Sequence, residues 1–87
     1  MHAVVVRVTI KDADAATAAL QDQVVPRVSQ APGFLSGHWT RKDNKGLSML
    51  IFESEDAARA ASEQIPSTVP DSVELEGVEV REVVASA

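Results

Sequence analysis

Twice along this chain a β-branched run gives way to an alanine-rich segment with helical spacing. "HAVVVRVTI" precedes "DADAATAALQDQVVPRVSQ", and "GLSMLIFES" precedes "EDAARAASEQI". A switch from alternation to three- and four-residue steps marks strand-then-helix units, and two such units in one short chain leave few folds open. The first run predicts a strand from His2 to Ile10. Val4, Val6, Val8 and Ile10 form one apolar stripe; Ala3, Val5, Arg7 and Thr9 form the other, apolar at one end and polar at the other. Two largely apolar stripes predict a sheet covered on both sides.

In the first helical segment Asp12 or Asp14 can cap the start, and alanine favours the body. Ala13, Ala16, Leu20, Val24 and Val28 recur at helical steps and are expected on one buried face. Pro26 has no N–H to donate and clashes with the preceding turn. Either the helix kinks there, or it stops near Val24 and Pro26 opens a second short turn. Ala31-Pro32-Gly33 ends it in both cases.

"GFLSGHWTRK" and "GLSMLIFES" read as two strands joined by Asp43-Asn44-Lys45-Gly46, a hairpin-turn composition. By simple alternation Phe34, Ser36, His38 and Thr40 share one side, and Leu35, Gly37, Trp39 and Arg41 the other. His38 and Trp39 therefore point to opposite faces and cannot form one site in a regular strand. Ser54 is placed to cap the second helix, with Glu55 and Asp56 favourable in its first turn. Ala57, Ala58, Ala61 and Ile65 make its buried stripe, and the helix is expected to end near Ile65. "PSTVPDSVELEG" reads as a proline-interrupted connector with room for an extended piece at Val73 to Leu75, and "GVEVREVVA" as a final strand.

The order β-α-β-β-α-β predicts one α+β domain over residues 1–87 with the split ferredoxin-like plan: a four-stranded antiparallel sheet with both helices on one face. The other face is then open. Depending on the pleat, it carries Arg7, Thr9, Leu35, Trp39, and Leu50 or Phe52, with Trp39 placed there because Gly37 and Arg41 beside it suit a cavity edge. An apolar sheet face in water is an association signal. A chain of 87 residues is short for a self-sufficient core, and it contains no cysteine, which excludes disulfides, zinc–thiolate sites and thiol nucleophiles. A homodimer is the expected staple.

The 13 acidic and 8 basic residues give a net charge of -5 with no Lys/Arg cluster. Phosphate recognition needs concentrated positive charge, so neither nucleic acid nor an anionic membrane is an expected partner. No apolar run is long enough to span a bilayer. "MHAVVVRVTI" lacks the basic start and cleavage site of a signal peptide, so a cytoplasmic location is expected.

At "VVPRVSQAPGFLSGHW" followed by "LSMLIFESEDAARAA" the chain resembles the antibiotic-biosynthesis-monooxygenase-like family of the dimeric α+β barrel superfamily. The shared features are a proline near the end of helix one, "PGF" entering strand two, and an aromatic-acidic-serine step, Phe52-Glu53-Ser54, before helix two. The resemblance implies a dimer formed by packing two open sheet faces into a barrel, and a function that ranges from cofactor-free oxidation of planar phenols to haem degradation. Haem-degrading members carry an asparagine in strand one, a tryptophan ending strand three and a histidine late in helix two. This chain has Val6 and Phe52 at the first two positions and no histidine in helix two, so no haem and no other cofactor is expected. The oxygenases stabilise a substrate anion with polar and aromatic groups, often tyrosines; this chain has no tyrosine.

No residue is assigned a catalytic role and no metal site is expected. The candidate ligand-binding residues are Trp39, Arg7, His38 and Phe52. Trp39 can stack on a planar ligand or donate its indole N–H, or serve as a bulky core or interface residue. His38 can act as a base near neutral pH, although no carboxylate stands at a fixed spacing from it. Arg7, between two valines, needs a partner: Glu79, Glu82, Glu53 or an acidic ligand. Glu74, Glu76, Glu79 and Glu82 read as the charged dressing of an edge strand, and His2 as solvent-exposed. The expected function is binding of a small, largely apolar and planar molecule. The alternative is a non-catalytic structural or stress-associated homodimer with a filled barrel.

Overall fold

The computed structural model describes residues 1–87. Its elements are β1 (His2–Ile10), α1 (Ala13–Ala19), a π-helical turn (Leu20–Val24), α2 (Val25–Ser29), β2 (Phe34–Lys42), β3 (Lys45–Phe52), α3 (Glu55–Thr68) and β4 (Val73–Glu82). The strands form one antiparallel sheet in the order β2-β3-β1-β4. This is the ferredoxin-like α+β fold that the element order predicts. No helix is long and apolar enough to cross a membrane.

Local chemistry sets the helix starts. The Asp12 carboxylate accepts from the Ala15 N–H at 3.1 Å, and the Ser54 hydroxyl accepts from the Ala57 N–H at 3.1 Å. Of the two cappers proposed for helix one, Asp12 therefore serves. A new short helical segment does open at Pro26 after Val24, but through a widened turn and not a break. The chain widens into a π turn in which the Val25 N–H bonds back to the Leu20 carbonyl, and α2 continues beyond it with Pro26 in its first turn. Pro26 has no N–H to continue this ladder, and the widened turn stands immediately before it.

Two boundaries differ from expectation. α3 runs through Pro66 to Thr68 instead of ending near Ile65. Its last carbonyls are met by side chains: the Ser67 hydroxyl donates to Gln64 O at 2.8 Å and the Thr68 hydroxyl to Ile65 O at 3.0 Å. The extended piece at Val73 and the final strand are one strand, β4, joined across a bulge where Arg7 faces Gly77 but Val8 faces Leu75. Glu76 is the extra residue of that bulge.

Register decides the two faces, because cross-strand partners share a side. Val4, Leu50 and Gly37 align, as do Val6, Ser48 and Trp39. Val4 and Phe52 are wholly buried and Leu50 is 2% exposed, and with Val6 and Ala58 they form the core beneath the helices. Trp39 packs against this core, on the helix side. The placement of Trp39, Leu50 and Phe52 on the open face is thus corrected. A bulge at Leu35 is the cause: Phe34 faces Phe52 but Ser36 faces Ile51, so the alternation skips one residue. Phe34 consequently shares a face with Trp39 rather than with His38, and stacks edge-on against Phe52 at 5.7 Å. Arg7 and Thr9 do lie on the open face, beside half-exposed Leu47 and Met49.

Candidate functional site

Only 8 of the 87 residues are buried, so the layer between helices and sheet is thinly filled. The reason lies in the helix sequences. The residues α1 and α3 turn toward the sheet are mostly alanines, Ala13 and Ala16 on one and Ala57, Ala58 and Ala61 on the other. Alanines at these positions project too little volume to fill the space between helix and sheet.

The result is a cavity of about 450 Å³ between the sheet and the rod made by α1, the π turn and α2. Val6, Val8, Ile10 and Leu50 make its floor and Trp39 one wall. Leu20, Val24, Val25 and Val28 form the roof, and Ile65, Val69 and Val73 the far end. Consecutive Val24 and Val25 both line it, as the extra residue of the π turn permits. A second hollow, about 530 Å³, lies between α2 and α3 over Leu50 and Phe52. Val28, Leu50, Ile65 and Thr68 border both, so the hollows adjoin.

The polar side chains of the first cavity are few: Thr17, Gln21, Ser48, Thr68 and Arg41. Neither hollow is lined by a histidine, aspartate or glutamate. A pocket of this size and composition has room for a small molecule, with apolar contacts in the main and a few polar atoms to orient it. Its lining supplies no group that exchanges protons near neutral pH.

The four sequence-derived candidates do not converge. Trp39 lines the first cavity and Phe52, wholly buried, the floor of the second. His38 and Arg7 lie on the opposite side of the sheet, His38 exposed and facing Met49 across the strands. Arg7 Nη1 donates to Glu79 Oε1 at 2.7 Å, and Arg81 Nη2 reaches the same oxygen at 3.0 Å. Hydrogen bonds from Arg81 and then Arg7 hold the Glu79 carboxyl below the usual glutamate range. Of the partners proposed for Arg7, Glu79 is the one it takes. Beside this group the Thr9 hydroxyl donates to Glu76 at 2.7 Å and accepts from Lys45 Nζ at 2.8 Å. The charges of β4 thus serve two small ionic networks on the open face.

His2 is also corrected. Its side chain is 18% exposed, lies on the helix side opposite Phe52, and places Nε2 3.3 Å from Glu55 Oε2. Sequence reasoning missed Arg41 and Ser48 as cavity residues, though both signals existed. Arg41 follows Trp39 on the same stripe, and Ser48 faces Trp39 across the hairpin.

Neither a protein-family model nor a curated protein matches this chain in sequence.

Proposed function

We propose that this protein binds a small, planar, largely apolar molecule in the cavity between the first helical rod and the sheet, with Trp39 as the stacking wall. The apolar volume of about 450 Å³ bordered by the chain's one tryptophan carries this reading. The resemblance to cofactor-independent monooxygenases supplies the ligand class and the homodimeric α+β barrel of this reading, which we take to act in the cytoplasm. The site sits outside that barrel, on the helix side of each sheet. The open face, with Leu47 and Met49 each 46% exposed, is the surface that a second copy covers.

A second reading, a non-catalytic homodimer, is favoured by the lack of any histidine or carboxylate in the cavity lining. Titration with a flat aromatic such as naphthamide tests the first reading. Saturable binding, lost in Trp39→Ala, is the expected result; no saturable binding would sink it. Oxygen uptake on adding a naphthol would extend the first reading to catalysis and exclude the second; without it, the binding titration decides between them.

A further inference from the structure

Three of the five arginines, Arg7, Arg59 and Arg81, stand within ion-pair distance of a carboxylate. The remaining two, Arg27 and Arg41, pair with none, although the chain carries 13 acidic side chains. Both unpaired guanidiniums border the hollows beneath the helices, Arg41 the first and Arg27 the second. In a chain of net charge -5, each hollow is bordered by one cation and no anion.

The surroundings of Arg41 explain why it stays unpaired. Its cross-strand neighbour is Gly46, which offers no side chain. Gly46 cannot be larger, since a Cβ there would stand 2.7 Å from a methyl of Val8. The next residues on that face are Trp39, Val8 and Ile10, and the roof above contributes only the neutral Thr17 and Gln21 as polar partners. Arg41 is exposed and borders the cavity, two residues from Trp39 on the same face of β2.

We propose that the ligand of this cavity is an amphipathic anion: an apolar body under α1 and the π turn, and a carboxylate at the mouth held by Arg41. A planar guanidinium presents paired N–H donors that match a carboxylate's two oxygens, which selects an ionised acid over a neutral analogue of the same shape. Arg41 is on this view the specificity-determining residue of the site. The assignment rests on the cavity reading above and goes beyond it by fixing the charge of the ligand and the end at which it sits.

Calorimetric titration of naphthoate and naphthamide, equal in shape and different in charge, tests it on the intact protein. Naphthoate is expected to bind about tenfold more tightly, the worth of one charge-assisted contact at a partly wet site. Arg41→Gln should erase that preference, Arg41→Lys should keep part of it, and Arg27→Gln should keep all of it. Raising the salt concentration should narrow the gap in the wild type, since the contact is exposed. Equal affinity of the two probes, or a preference that survives Arg41→Gln, overturns the assignment while leaving the cavity reading intact. Loss of the preference in Arg27→Gln instead would move the anion to the second hollow and overturn it equally. If neither probe binds, both readings fail together.

Discussion

The indole of Trp39 lies back over Gly37 on the same face of β2. A Cβ placed on Gly37 would stand 3.0 Å from Cη2 of the ring and 3.0 Å from Cδ2 of Leu50. The glycine is therefore the seat on which the cavity wall rests. Leu50, 2% exposed, has nowhere to go, whereas the indole borders open space. Gly37→Ala should swing the ring into the cavity and cost about 1–2 kcal/mol, as overpacking does. A lower melting temperature with shifted tryptophan emission is the expected result. Unchanged emission would mean that the ring does not rest there.

Gly33 is constrained twice. Its φ of 78° lies in the left-handed region, and a Cβ would meet Ala57 Cβ at 2.8 Å, against the first turn of α3. Neither backbone nor a β-carbon can yield cheaply. Gly33→Ala should cost about 2 kcal/mol or more, a fall in Tm of roughly 10 °C for a domain of this size. A melt within a degree or two of the wild type would contradict the packing of Gly33 beneath α3.

The Glu79 pair sets an acid limb. Its folded-state pKa is depressed by Arg81 and Arg7. Its contribution to stability is thus complete above the unfolded glutamate value, about 4.3, and is lost as pH falls through the lower folded value. The affected window lies wholly below that point. In Glu79→Gln, stability should vary less with pH there and fall modestly at neutral pH, because the group is solvent-accessible and such pairs are weak. Urea melts across the acid range check this. Identical acid limbs in both proteins would rule out Glu79 as their source.

What could be read in the sequence and what could not divide along physical lines. The bounds of β1, the cap Ser54, Asp12 as one of two cappers, the apolar stripe of α3 and the order of elements along the chain follow from local alternation, capping and turn chemistry. The side of Trp39 does not. Alternation counted from Phe34 sends Trp39 outward, and one extra residue at Leu35 reverses the whole strand. That bulge is settled by a tertiary contact, the edge-on stack of Phe34 on Phe52, which no short window contains. The cavity was illegible for a related reason. Alanine stripes on two helices read as close packing, and only the hollows between helices and sheet show that they leave space. Arg7 was legible as a residue in need of a partner, because a charge between two valines can be judged locally.

The open face makes its own demand. Leu47 and Met49 stand half-exposed on β3, between the ionic groups of β1 and β4 and exposed His38 on β2. If a second copy covers this face, Met49→Glu should convert a dimer at micromolar concentration to a monomer, since it would bury an unpaired charge. The monomer's own stability should change by about 0.5 kcal/mol or less, as for other exposed positions. Sedimentation velocity checks the first outcome and thermal melting the second. A wild-type protein that sediments as a folded monomer at that concentration would remove the barrel dimer from consideration.

Pro26 offers the sharpest link between sequence and site. The π turn from Leu20 to Val24 ends immediately before the segment that this proline opens. With no N–H to give, and a ring that crowds the carbonyl four residues back, Pro26 favours a widened turn over a regular one. The extra residue turns both Val24 and Val25 toward the cavity roof. Pro26→Ala should let the rod close into a continuous α-helix, with a gain in helical circular dichroism and a melting temperature at or above that of the wild type. Changing the turn from i→i+5 to i→i+4 bonding shifts the facing of the residues around it by up to about 100°, one residue's share of a helical turn. Leu20 or Val24 would then leave the roof. The same variant should therefore bind naphthamide several-fold more weakly while being the more stable protein, a combination that general damage does not produce. Unchanged affinity together with increased helicity would show that the π turn shapes the helix but not the site.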